Sequence, residues 1–86
     1  MILSYGKKFI KQYSKQSLHI KNKFIARQGL FVTTPFHPLL NNHRLSGGYA
    51  GCRSINVTGD IRAVFEELSE NHIEFVAIGS HSELYS

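Results

Sequence analysis

Near the carboxyl end lies the run Ile73-Glu74-Phe75-Val76-Ala77-Ile78, in which Glu74 is the one polar residue. Side chains of a strand point alternately to its two faces, so a strand this apolar has to be an interior one, covered above and below. The segment before it, Ile61 to Leu68, alternates instead: Ile61, Ala63 and Phe65 share one face and Arg62, Val64 and Glu66 the other. That period of two predicts a second strand, separated from the interior one by a turn at Ser69-Glu70-Asn71-His72. Thr58-Gly59-Asp60 reads as a tight hairpin turn. Before it, Tyr49 to Val57 is β-compatible and follows the turn signal Gly47-Gly48.

The first half has the other period. After a short opening strand at Ile2, Leu3 and Tyr5, a helical pattern is expected from Ser4 onward, with Phe9, Ile10 and Tyr13 on one side and lysines on the other. Ser17 is an N-cap for a second helix, in which Leu18, Ile20, Phe24, Ile25 and Phe31 form the apolar stripe. His19, Lys21, Lys23 and Arg27 are expected to face outward. Gly29 within that pattern costs about 1 kcal/mol relative to Ala. The helix must stop before Pro35, and Pro38 extends a loop across Thr33 to Asn42. The order β-α-α-β-β-β predicts an α+β domain: two helices on one face of a small, mostly antiparallel sheet. Its 86 residues leave room for one domain, 1–86.

Composition removes several classes. Hydrophobic residues are 42% and charged residues 19% of the chain, as in globular proteins. No stretch reaches the roughly 20 apolar residues of a membrane span. The amino terminus turns basic at Lys7-Lys8 before a signal-peptide core can form, and Cys52 has no partner for a disulfide. A cytoplasmic, membrane-free protein is the expectation.

The charges are segregated. Residues 1–59 carry nine Lys or Arg and no acid, whereas residues 60–86 carry all six acids and only Arg62 as a base. A positive half of this kind suits a polyanion, either nucleic acid or an acidic protein; the plainer alternative is that the lysines solvate two helices.

No metal-ligand spacing is present: His37 and His43 flank a proline-containing loop and Cys52 stands alone. Gly47-Gly48 and Gly51 fall between strands and do not open a helix, as a phosphate loop would. The polar groups that stand out are at strand ends. His43 precedes the first long strand, Asp60 and Arg62 flank the hairpin turn, and His81 follows the last strand. Two imidazoles and a guanidinium form a set able to cleave RNA without a metal. One removes the proton of the ribose 2′-OH, another protonates the departing 5′-oxygen, and the guanidinium offsets charge on the phosphorane-like transition state. Each also has a structural alternative: Asp60 is favoured in turns by its backbone, and Arg62 shares a strand face with Glu66.

Three segments carry a resemblance. Pro35-Phe36-His37-Pro38-Leu39-Leu40-Asn41-Asn42-His43-Arg44-Leu45-Ser46-Gly47 is similar to the linker of RelE/YafQ-type messenger-RNA interferase toxins. Gly51 to Phe65 resembles their central hairpin, and Ile78-Gly79-Ser80-His81-Ser82-Glu83-Leu84-Tyr85 their closing signature. Together they cover about half the chain in the right order. The resemblance implies the RelE-like fold and the toxin half of a type II toxin–antitoxin pair. It implies a toxin that cleaves messenger RNA on the ribosome, needs no cofactor, and is held inactive by an acidic, DNA-binding antitoxin. Carried over residue by residue, it makes His43, Asp60, Arg62 and His81 the catalytic set and has Tyr85 stack on a base or contact the phosphate; Arg44 and Arg53 are expected to grip RNA phosphates, and Asn56 is placed with these RNA-binding residues. Two positions depart from the pattern: Asn56 stands where YafQ-like members often carry a histidine, and Ile61 replaces an aromatic. An amide donates hydrogen bonds but shuttles no proton. Those departures keep two alternatives open: a same-fold toxin acting on a protein such as DNA gyrase, and a silent antitoxin-binding corepressor.

Overall fold

The computed structural model describes residues 1–85. Strand β1 (Ile2–Tyr5) is followed by helices α1 (Lys7–Ser14) and α2 (Leu18–Thr33), a two-residue strand β2 (His43–Arg44), then β3 (Arg53–Asn56), β4 (Ile61–Ser69) and β5 (His72–Ser80), and a closing helix α3 (His81–Tyr85). The strands form one sheet in the order β1-β5-β4-β3-β2. Among the described residues only β1 runs parallel to its neighbour; the other pairings are antiparallel. The α+β arrangement expected from the periodicities is thus present, with β5 in the interior.

The alternation in β4 divides the molecule. Ile61, Ala63 and Phe65 join a core with Phe9, Phe24, Phe31, Leu40, Ile55 and Phe75 on the side of α1 and α2. Phe75 is fully buried, and Phe24 and Phe31 present edges to it at 5.1 and 6.1 Å. Val64 points to the opposite face, where it meets Ala77 and Leu84. A bulge makes β5 serve both sides: Phe65 pairs with Phe75 but Val64 with Ala77, so Val76 is the extra residue. Such an insertion reverses the inward–outward alternation. Phe75 and Ile78 therefore reach the helix side, three positions apart, while Ala77 faces α3.

Past Tyr5, no strand among the described residues lies beside the outer edge of β5. Helix α1 covers that edge, and the Gln12 side-chain oxygen accepts the Ile78 N–H at 2.9 Å. Ser17 caps α2 as expected, its hydroxyl accepting from the Ile20 N–H.

Four expectations are corrected. The first helix starts at Lys7, because Ser4 and Tyr5 remain in β1 and pair with β5. The strand expected from Tyr49 starts only at Arg53. Gly47–Tyr49 form a 3₁₀ turn, and Gly47 and Gly51 take φ values of +65° and +90°, which interrupt an extended strand. The α2 stripe is narrower than its sequence: Phe24 and Phe31 are buried, whereas Leu18 is 73% and Ile25 57% exposed. Finally, the expected order β-α-α-β-β-β has no helix after the last strand, whereas α3 follows β5. Ser80 and Glu83 form a reciprocal cap, the Glu83 carboxylate accepting the Ser80 N–H at 2.8 Å and the Ser80 hydroxyl accepting the Glu83 N–H at 3.1 Å. This pairing starts α3.

Candidate active site

On the sheet face opposite α1 and α2, the 43–49 loop, β3, β4 and α3 surround a cavity of about 950 Å³. His43 enters from β2, Arg62 from β4, and His81 and Tyr85 from α3, so groups far apart in the chain line one space. Arg44 and Lys8 add positive charge, and none of the lining residues is acidic.

Each group is held by its local backbone. His43 lies two residues after Asn41, whose left-handed φ of 45° ends the Pro38–Leu40 turn. That turn is secured by the buried Leu40 and by the His37 ring, which accepts the Leu39 N–H. The Asn41 carbonyl lies 2.7 Å from His43 Nδ1. A carbonyl oxygen only accepts, so Nδ1 carries a proton, and in the neutral ring Nε2 is the nitrogen that holds the free lone pair. Arg62 donates through Nη1 to the carbonyls of Gly59 at 2.9 Å and Thr58 at 3.3 Å, which ties its head to the hairpin turn and away from Glu66. His81 is the first residue of α3; its N–H donates to the Asp60 carbonyl, and its ring meets the Tyr85 ring edge-on at 4.7 Å. Tyr85 in turn meets Tyr49, whose hydroxyl accepts from Lys8 Nζ at 2.9 Å.

The expected residues therefore separate. His43, Arg44, Arg62, His81 and Tyr85 line the cavity. Asp60 touches the site through its backbone carbonyl, and its side chain is not part of the lining. Arg53 lies outside, donating to Asn42 at 2.8 Å and stacked on Phe36, where it braces the chain just before His43. Asn56 pairs with Arg62 in register but lines a different groove, beside α2. Lys8, Tyr49 and Ser54 line the cavity without having been singled out. The Ser54 hydroxyl is buried without a partner, an open hydrogen-bonding group beside the site. No pattern marks Lys8 or Tyr49, since each is placed by folding alone. The Ser80-x-x-Glu83 spacing, by contrast, is a legible helix-start signal.

Cys52 packs against the small core under α3, and burial, followed by the charge of Glu66, raises its thiol pKa. It behaves as a small apolar residue rather than a nucleophile.

A family model for the bacterial toxin of type II toxin–antitoxin systems, YafQ, matches residues 3–86. The chain belongs to the YafQ family. Among solved structures, YafQ of E. coli superimposes with a TM-score of 0.82 at 19% identity, covering 98% of this chain and 97% of that one. A YoeB/ParE toxin from Agrobacterium tumefaciens matches with a TM-score of 0.76 at 22% identity, over 94% of this chain and 99% of that one. E. coli YafQ in its complex with DinJ matches at 0.77 and 21% identity, over 98% and 97% of the two chains. No curated protein matches. At these identities the superpositions establish the fold, and the family match establishes a type II toxin. Among the described residues no helix is long and apolar enough to cross a membrane.

Proposed function

We propose that this YafQ-family toxin is a ribosome-dependent messenger-RNA endoribonuclease acting in the cytoplasm by metal-free acid–base catalysis. The observation that carries the reading is the convergence of His43, Arg62 and His81 on one acid-free cavity. Nε2 of His43, in the neutral form of the ring, takes the proton from the ribose 2′-OH. The 2′-oxygen then bonds to phosphorus as the bond to the 5′-oxygen breaks, and His81 in its protonated form supplies that oxygen's proton. The products are a 2′,3′-cyclic phosphate and a 5′-hydroxyl. Arg62 offsets the added negative charge on the phosphorus centre. Tyr85 offers an aromatic face to a base. Because one imidazole must be neutral and the other protonated, the rate passes through a maximum with pH.

The basic first 59 residues suit both RNA phosphates and an acidic antitoxin. The solved complex of E. coli YafQ with the DinJ antitoxin supports a cognate antitoxin for this chain too. The experiment is to map transcript ends after induction and to repeat the reaction with purified ribosomes and messenger RNA in EDTA. Cuts that need ribosomes, survive chelation and leave a 2′,3′-cyclic phosphate or its 3′-phosphate product are expected. DNA damage without RNA cuts would establish a protein target such as gyrase, and antitoxin binding with neither effect would establish a corepressor.

A further inference from the structure

Among the described residues, two buried side-chain polar atoms have no hydrogen-bond partner: the Ser54 hydroxyl and the Asn56 oxygen Oδ1. Both belong to β3, and each stands directly across the sheet from a residue of the proposed chemistry, Ser54 from His43 and Asn56 from Arg62. Ile55, between them, enters the core on the α1–α2 side, so the pleat turns Ser54 and Asn56 to the other face, where Arg62 also lies. The two orphans differ in access. Ser54 lines the cavity; Asn56 does not, bordering only the groove beside α2, and its Oδ1 is closed off from water. RNA in the cavity has no route to that oxygen, so its donor has to come from a neighbouring side chain. A buried acceptor left empty costs free energy that a bond made in another state of the molecule recovers. Arg62 is placed to make that bond. Directly opposed residues of an antiparallel pair have Cβ atoms about 5 Å apart. A guanidinium carries five N–H donors in one plane. In Arg62 only Nη1 is engaged, by the Thr58 and Gly59 carbonyls; Nε and Nη2 make no hydrogen bond among the described residues. Arg27, the other guanidinium near this end of β3, reaches the Val57 carbonyl from α2, on the opposite face.

We infer that Arg62 has two settings and that Asn56 is the positioning residue for the second. In the free protein the guanidinium rests on the hairpin turn. When a phosphodiester enters the cavity the guanidinium pivots, Nε or Nη2 donates to Asn56 Oδ1, and the remaining N–H groups face the phosphate in the space that His43 and His81 share. Asn56 thus serves the RNA through Arg62 and touches none of it, in place of the direct RNA contact expected from the sequence. A neutral amide suits this role. Its oxygen accepts at every pH and, unlike a carboxylate, adds no negative charge that would compete with the phosphate for the arginine. This inference rests on the nuclease reading for the reaction that Arg62 serves.

The test uses Asn56→Leu, close to asparagine in size but without the acceptor, alone and combined with Arg62→Ala. On ribosome-bound messenger RNA, Asn56→Leu is expected to lower kcat about tenfold with KM nearly unchanged, and to have no further effect once Arg62 is replaced by alanine. A loss that persists in the Arg62→Ala background would overturn the inference, because Asn56 would then act on its own. A second arm needs no cutting. The Arg62 Nε–H signal is followed by nitrogen-15 NMR as a short 2′-O-methyl oligouridylate, which cannot be cleaved, is added. On binding, its protection from solvent exchange is expected to be about tenfold greater in the parent than in Asn56→Leu. Equal protection in the two, or none in either, would overturn the inference. Protection that depends on Asn56 in a protein that never cuts RNA would keep the positioning role and sink the nuclease reading. Ribosome-dependent cutting that Asn56→Leu leaves unaltered would do the reverse. The melting temperature of Asn56→Leu is expected to match or exceed that of the parent, since an empty acceptor is removed. A lower value, repeated in Asn56→Ala, would show the oxygen already partnered in the free protein and would also overturn the inference.

Discussion

The two faces of the sheet are made from the same strands yet differ in kind. On the α1–α2 side, five phenylalanines and the aliphatic residues between them close a dry core. On the other side the buried apolar cluster among the described residues is just Val64, Ala77 and Leu84, with Ser54 buried beside the cavity, and the rest of the face is left open around His43, Arg62 and His81. In β4 a single residue step decides between them, since Ala63 and Phe65 enter the core while Arg62 lines the cavity. A domain this small has one substantial core. It stabilises the fold from one face, leaving the other available for chemistry.

Substitutions should respect that division. Phe75→Ala, at the centre of the closed face, should cost about 3–5 kcal/mol, a large share of the stability of such a domain, and be seen as a steep fall in the denaturant midpoint. A loss under 1 kcal/mol would break the contrast. Next comes Gln12→Ala, which leaves the Ile78 N–H at the β5 edge without its acceptor and should cost about 1–3 kcal/mol.

Ser80→Ala removes half of the reciprocal cap of α3 and should cost about 1 kcal/mol. Because α3 carries His81 and Tyr85, cleavage should fall further than stability does. The partner carboxylate gives the same helix a pH dependence. Hydrogen bonds from the Ser80 backbone and then its side chain hold Glu83 below its ordinary pKa of 4.5. A lowered native pKa means the stabilisation is complete above that ordinary value and is lost as pH falls through the depressed one. Hydrogen exchange in residues 81–85 should therefore gain protection as pH rises out of the acid range, after correction for intrinsic rates, and Glu83→Gln should flatten that response.

The smallest effect is a gain. A Cβ at Gly29 would meet nothing within 4 Å, so Gly29→Ala should raise stability by up to about 1 kcal/mol through helix propensity alone. A loss there would mean that the exposed face of α2 is not free.

Much of this was legible in the chain. The period-two pattern of Ile61 to Phe65, the apolar run at Ile73 and the Ser17 cap each point to structure through local rules, and each is found in place. The bulge at Val76 had no such signal, since an apolar run looks the same with or without an extra residue. Leu18 stands at the very start of α2, and Ile25, one position past the buried Phe24, is turned off the face that carries Phe24 and Phe31, so both lie within the apolar pattern but outside the core. Site residues followed the same logic. His43, Arg62 and His81 were visible as polar groups at strand ends; Lys8 and Tyr49 reach the cavity only through tertiary packing. Asn56 pairs with Arg62 yet lines the α2 groove, a placement that strand pairing alone does not give.

The most direct test of the central claim is the cleavage rate of His81→Gln and His43→Gln on ribosome-bound messenger RNA, measured beside their melting temperatures. Both residues are exposed on the open face, so the account predicts rates lower by about 10²–10⁴-fold with melting nearly unchanged. Cutting at the wild-type rate by either variant would contradict it.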